Sequence, residues 1–214
     1  VGAQRPSTAI SADGPMNMYH AIQAAVDPDS TGRGVMICMN GQLTSGREGT
    51  KSSTFKVEAF NARELGFLGV VDPDGVHYFR KPTRRHTYMS EFDVAKMEDF
   101  PRVDVVDSYA AAPRDMIDFI VSAGAKGIVL SGHGNGGSSP AQGDAMAEAD
   151  EQGVAVVNAS RTGSGRVVAS ERNLKAGIVP ADNLLPHKAR ILLMLALASG
   201  LSTQDELTRV FDQY

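Results

Sequence analysis

The spacing of apolar residues along the chain changes from stretch to stretch, and separates candidate helices from candidate strands. Behind Asp13-Gly14-Pro15, Met18, Ile22 and Val26 recur every four residues, predicting a helix with one apolar face and a proline-fixed first turn. Gly34 to Asn40 is a short apolar run of the length of a buried strand, and 40–54 is polar and rich in Gly and Thr. Two short β-runs flank Pro73-Asp74-Gly75 and predict a hairpin over Val70 to Phe79. From Arg80 to Pro101 no period survives, and four basic residues and a His gather between Arg80 and His86, so 80–101 reads as a linker.

Beyond Arg102 the pattern becomes regular. Val103 to Val106, Gly127 to Leu130 and Val154 to Val157 are apolar strands, with helices predicted over Asp115 to Ala123 and from Ser138-Ser139-Pro140. A further helix from Pro186 to Ser199 carries the stripe Ile191, Leu192, Leu195 and Leu197; the last begins at Thr203, where Glu206 completes a capping box. Strands alternating with helices at this spacing imply a parallel sheet covered on both faces. The chain therefore divides into residues 1–79 as the tail of one α/β domain, the linker 80–101, and residues 102–214 as a smaller α/β domain. Val1 to Pro6 has no initiator Met, basic start or apolar core of a signal peptide, and reads as the end of a strand entering a loop.

Composition narrows the function. With 214 residues, 42% hydrophobic and 21% charged, the chain is an ordinary globular sequence. A net charge of −4 argues against a nucleic-acid partner, and no apolar run approaches the roughly 20 residues that span a bilayer, so no membrane partner is expected. The single Cys38 cannot form an internal disulfide, and in its apolar run it is expected to be buried and inert.

Several segments invite chemistry. Gly132-His133-Gly134-Asn135-Gly136-Gly137 matches G-x-G-x-x-G, but a dinucleotide site also needs an acidic residue after the next strand, where Asn158, Ala159 and Ser160 stand. No nicotinamide or flavin site is therefore expected, although the loop lies at the carboxyl edge of a parallel sheet, where open α/β folds bind ligands. His86, His133 and His187 share no ligand spacing with other residues, so no metal is expected. The loop Asn158 to Gly165 offers hydroxyls but no G-x-S-x-G elbow. Lys51, just beyond a buried strand, is either plain surface or a cation held near a hydroxyl nucleophile.

An ordered series of motifs resembles the bacterial-type L-asparaginases and glutaminase-asparaginases. Arg5-Pro6-Ser7-Thr8 with Ser11-Ala12-Asp13-Gly14-Pro15 is similar to the segment after their second catalytic motif, and Gly46-Arg47-Glu48-Gly49-Thr50-Lys51 to their G-R-D-x-T-K. Phe60 with Gly66-Phe67-Leu68-Gly69, Arg85-His86-Thr87, Gly134-Asn135-Gly136, Ser160-Arg161 and Pro186-His187-Lys188-Ala189-Arg190 follow in the family's order. The family's T-G-G-T-I and T-D-T motifs, which carry two threonines and an aspartate, have no counterpart in these 214 residues.

The resemblance implies an α/β protein with a doubly wound parallel-sheet larger domain, truncated here, and a smaller parallel α/β domain. It implies hydrolysis of L-asparagine to L-aspartate and ammonia, with L-glutamine as a candidate second substrate, through an acyl-enzyme on a threonine outside this chain. The chain alone is then expected to be inactive. By the same resemblance Lys51 is catalytic, the backbone of Ala3 meets the substrate amide, Asn135 lies in a loop reaching a neighbouring subunit's site, and Glu171 binds the substrate amine. No cofactor is implied, and the assembly is a homotetramer built as a dimer of dimers. Gly137 departs from the Asn or Ser common there, which leaves the choice between asparagine and glutamine open, and nothing in the residues separates a periplasmic from a cytoplasmic compartment. Two other readings stand beside this one. The chain could be a non-catalytic module binding an amino acid or effector at the loops after Leu130 and Val157. It could also be the asparaginase-like subunit of a tRNA-dependent amidotransferase, against which the acidic balance argues.

Overall fold

Pro15 sits in the first turn of the first helix, α1 (Gly14–Val26), where its missing N–H costs nothing. A computed structural model describes residues 1–214 and divides them into two compact units, Val1–Met89 and Ser90–Tyr214. In the first unit, β1 (Met36–Met39) and β2 (Gln42–Ser45) are joined by Asn40-Gly41, both with positive φ. That pair suits the tight reversal of a two-residue hairpin. After the two-residue strands β3 (Thr50–Lys51) and β4 (Phe60–Asn61), which pair with each other, come β5 (Gly69–Asp72) and β6 (Gly75–Tyr78). Asp72 pairs with Gly75, so Pro73-Asp74 forms the turn of the expected hairpin.

The four-stranded sheet runs β1-β2-β5-β6 with every pair antiparallel. Every strand pairing within residues 1–89 is thus antiparallel, and the parallel sheet of this α/β chain lies in the second unit. Two-residue turns join β1 to β2 and β5 to β6 and can only reverse the chain, while the antiparallel pairing of β2 with β5 is reached through the longer stretch 46–68. The polar stretch 40–54 contains β2 and β3, which its composition does not suggest; Asn40-Gly41 is the signal that marks them. The core of this unit is small, with Ala24, Cys38, Leu43 and Val71 buried together. Burial pushes the Cys38 thiol above its ordinary pKa, in keeping with an inert thiol. Met18, Ile22 and Val26, whose spacing predicts the helix, are more than half exposed, and α1 instead buries Asn17 and Ala24.

The second unit alternates as its sequence predicts: β7 (Val103–Asp107), α2 (Asp115–Ser122), β8 (Gly127–Gly132), α3 (Pro140–Glu151) and β9 (Ala155–Ser160). A short α4 (Glu171–Lys175), β10 (Val179–Pro180), α5 (Pro186–Ala198) and α6 (Gln204–Gln213) follow. The sheet runs β10-β9-β8-β7, entirely parallel. All of β8 is buried, as expected of a central parallel strand covered on both faces. Ile128 and Leu130 join a core with Ile117 of α2 and Met146 of α3; Val129 faces the other way, into a core with Leu193 of α5 and Phe211 of α6.

The sequence-expected stripe on α5 needs correction. Ile191 is half exposed, and the buried positions are Ala189, Leu192, Leu193 and Ala196. Their i, i+3, i+4, i+7 spacing makes one face, while the small alanines let the helix lie close on the sheet and escape a reading that counts only large apolar residues. At the start of α6 the capping box forms as predicted, with Thr203 Oγ1 accepting from Glu206 N and Glu206 Oε2 accepting from Thr203 N at 3.0 Å. Both α4 and β10 are too short to leave a period in the sequence. Residues 80–101 divide between the units: Arg80 Nη2 pairs with buried Glu48 at 2.6 Å in the first, while Arg209 Nη1 holds Glu91 at 2.8 Å and Phe92 packs on Tyr214 in the second. Part of the basic cluster is thus structural. No helix is long and apolar enough to cross a membrane.

Candidate functional site

In the first unit, Lys51 closes β3 opposite Phe60 and is exposed, with Nζ donating to Gln4 Oε1 at 3.3 Å. That contact brings Lys51 beside the segment 2–5, which also holds exposed Ala3. The segment is pinned from behind by two buried polar residues of the α1 start. Asp13 accepts from Gln4 N at 3.0 and 3.1 Å and from Arg5 N at 2.8 Å. Asn17, one turn on, donates to Gly2 O at 2.9 Å and Asp13 Oδ2 at 3.0 Å, and accepts from Asn40 N at 2.8 Å.

Asp13 stands at the N-cap of α1 as the sequence suggests, yet its carboxylate makes no cap bond; it turns to the loop instead. The Gln4 N–H above all holds its pKa below the ordinary carboxylate range, against burial, which pushes it up; the Arg5 N–H adds to the lowering. A carboxylate accepting several N–H bonds is fixed in place and stays charged. Sequence reasoning passed over Asp13 and Asn17 as site elements. Their i, i+4 spacing was the available signal, but it carries meaning only once residues 2–5 are known to lie against α1.

Asn135 and Glu171 belong to the second unit. The loop after β8 closes on itself, with Gly137 N donating to His133 O at 2.7 Å and His133 N to Gly137 O at 3.1 Å. A Cβ on Gly132 would lie 2.5 Å from the carbonyl carbon of Gly136, and one on Gly137 would lie 2.4 Å from His133 Cε1. Gly132 and Gly137 therefore serve close packing within the loop, and Gly134 supplies a positive φ of 51°. Asn135 Oδ1 accepts from Val168 N at 2.7 Å and Nδ2 donates to Val168 O at 3.2 Å, while Ser160 Oγ donates to Gly134 O at 2.6 Å. Asn135 is exposed, and both ends of its amide clasp one loop to the next. Glu171 is the exposed first residue of α4.

Beside the clasp lies a cleft of about 420 Å³, lined among others by Asn135, Asn158, Ser170 and Arg172 but not by Glu171. Its size falls in the range of small-molecule sites, roughly 300–1,000 Å³. No three His, Cys, Asp or Glu side chains gather as they would around a metal ion.

The Glutaminase/Asparaginase C-terminal domain matches residues 102–211, and the Asparaginase N-terminal domain matches residues 1–84. The chain belongs to the glutaminase/asparaginase family. It is 38% identical over 214 residues to L-asparaginase 2 of Bacillus subtilis (strain 168), covering 100% of this chain and 56% of that protein. It is 39% identical to the probable periplasmic L-asparaginase of Haemophilus influenzae (strain ATCC 51907 / DSM 11121 / KW20 / Rd), covering 100% of this chain and 60% of the relative. The glutaminase-asparaginase of Pseudomonas fluorescens biotype A is 39% identical, with 100% and 59% covered. The chain thus spans about three-fifths of the length of these curated relatives. The family matches cover most of each compact unit, including the clamp on residues 2–5 and the Asn135 clasp.

Proposed function

We propose that this chain is the larger part of an amidohydrolase that converts L-asparagine to L-aspartate and ammonia, with L-glutamine as a candidate second substrate. The observation that supports it most is the end-to-end similarity to L-asparaginases and glutaminase-asparaginases, together with Lys51 standing beside the clamped segment 2–5. In this reading a threonine hydroxyl outside residues 1–214 attacks the amide carbon. A cation about 4 Å from the developing alkoxide contributes on the order of 4 kcal/mol at an effective dielectric near 20, and Lys51 is that cation. The tetrahedral intermediate collapses with protonated nitrogen leaving as ammonia, and water then cleaves the acyl ester to release aspartate and restore the hydroxyl.

The Asp13–Asn17 clamp holds the Ala3 backbone toward the amide. Asn135 and Glu171 serve the site of a neighbouring subunit in a dimer of dimers, Asn135 by fixing the shape of its loop and Glu171 by receiving the substrate ammonium. No cofactor takes part. The apolar face of α1 packs, in this reading, against the length by which the relatives exceed this chain.

The test is Lys51→Met in an enzyme that also carries that extra segment. Steady-state ammonia release should fall by about 10²–10⁴ in kcat, the worth of a positioned proton-transfer group, with a much smaller change in KM and an unchanged circular-dichroism spectrum. Retention of more than about a tenth of kcat, a deficit under ~1.4 kcal/mol, would remove Lys51 from the mechanism. Residues 1–214 alone should release no ammonia from asparagine.

A further inference from the structure

The helix α3 meets the short helix α4 with an acid at each end of the contact. Near the start of α3, Asp144 Oδ1 lies 3.9 Å from Arg172 Nη2. At its end, Asp150 is seated against Gly177, the residue that turns the chain out of α4 with a φ of 72°. A Cβ on Gly177 would fall on the Asp150 carboxylate, so glycine is what lets the acid sit there.

The seat gives that carboxylate no donor. Gly177 N donates to Leu174 O at 3.2 Å, Ile178 N to Asn173 O at 2.9 Å, and Ala176 N to Arg172 O and Asn173 O. A negative charge at the carboxyl end of a helix also meets the wrong end of its dipole. No nearby cation offsets this. Arg172 is turned to Asp144, Lys175 of α4 is exposed and forms no ion pair, and Glu148 of α3 is taken up by Arg114 of α2. From α6 comes only the neutral Gln204 Nε2, donating to Leu174 O at 2.9 Å. Glu151, the one charge that acts on Asp150, repels it.

Five residues are too few for a helix to stand alone, so α4 persists through its packing. Ala176 and Ile178 supply that packing, in the core that holds Met146 and Ala149 of α3. We propose that Asp150 is a pH-sensitive latch on α4. Its protonated carboxyl closes the end of α4 onto α3, and its carboxylate loosens that end. Protonation removes the charge and adds an O–H donor where helix carbonyls outnumber N–H groups. Burial and Glu151 hold the folded pKa above the ordinary 3.8, so closure is complete below about pH 4 and is lost as pH rises through the folded value. Glu171 and Arg172 ride on α4, so acidity sets how firmly both are held. The latch rests on α3 and α4 alone and stands apart from the amidohydrolase reading.

The test is hydrogen exchange at Ala176, Gly177 and Ile178 in the full chain between about pH 3 and pH 7, corrected for intrinsic exchange rates. Their protection should fall at least about threefold as pH rises. Asp150→Asn and Asp150→Ala, both uncharged, should each hold it near the acid level throughout. Ala123, Gly124 and Ala125, which close the end of α2 by the same kind of bonds, are the control and should not change. Protection at α4 that ignores pH would overturn the latch. So would a fall that survives both substitutions, or an equal fall at the end of α2.

Discussion

The two units use the same sequence device, an amphipathic helix beside a sheet, and finish it differently. In the second unit, α5 and α6 bury their apolar faces in a core of sixteen residues, and α2 and α3 complete another of twelve on the opposite face of one parallel sheet. In the first, α1 contributes Ala24 to a core of four, while Met18, Ile22 and Val26 stay 52%, 56% and 75% exposed. What holds the first unit's segment 2–5 is therefore polar: Asp13 and Asn17 fix it by hydrogen bonds. The contrast shows that an amphipathic period reports which face of a helix is apolar, not whether anything in the same unit covers it.

Substitutions across the two helices give the largest expected difference. Leu193→Ala, at a fully buried position of α5, should cost about 2–5 kcal/mol by denaturant unfolding. Ile22→Ala, on the open face of α1, should stay within roughly 0.5 kcal/mol in this chain. In an enzyme carrying the relatives' extra length, the same Ile22 change should become costly; a small cost there would break the proposed covering of α1. Next in size is Asn17→Leu, which takes the partner from Gly2 O and Asn40 N at partly buried positions, at a loss of about 0.5–1.5 kcal/mol for each hydrogen bond. Hydrogen exchange at Gln4, Arg5 and Asn40 should accelerate while β8 remains protected.

Smaller again is the loop after β8. Gly137→Ala drives a methyl toward the exposed His133 ring, which can swing aside, so it should cost under about 1 kcal/mol, and His133→Ala should remove that cost. A double-mutant cycle with no coupling would show that the ring does not occupy that space.

The smallest effect is on pH dependence, where the units should differ in sign. The folded-state pKa of Asp13 lies below its unfolded value, so its stabilisation is complete above about pH 4 and is lost as pH falls through the folded pKa. Asp150 in α3 is the reverse. Burial first, then the neighbouring Glu151, raises its folded pKa, so stability is greatest below about pH 4 and declines as pH rises through the folded value. Unfolding measured from pH 3 to pH 7 should show Asp13→Asn flattening the acid limb. Asp150→Asn should stabilise the second unit at neutral pH, and loss of stability there would contradict the sign.

Much of the second unit was legible because a two-faced parallel sheet writes long, regular periods into the chain, and the caps at Ser139 and Thr203 mark helix starts chemically. The hairpin around Pro73-Asp74 was legible for the same local reason. Lys51 and Asn135 could be singled out through ordered family motifs, since their own surroundings in sequence are unremarkable polar loops.

Other features depend on residues far apart in the chain, and no window of sequence contains them. Asp13 looks like a helix cap until residues 2–5 are laid against it. The glycines of 132–137 look like a phosphate loop until Gly137 is seen under the His133 ring. Asn158 looks like a strand residue until its oxygen is found buried without a partner. Local spacing and caps determined which segments are helix or strand, because those depend on neighbours within a turn or two. Which apolar face is covered, which carboxylate stays charged and which amide is left unpaired were decided only by tertiary packing, because each is a balance of burial against partners brought in from elsewhere in the chain.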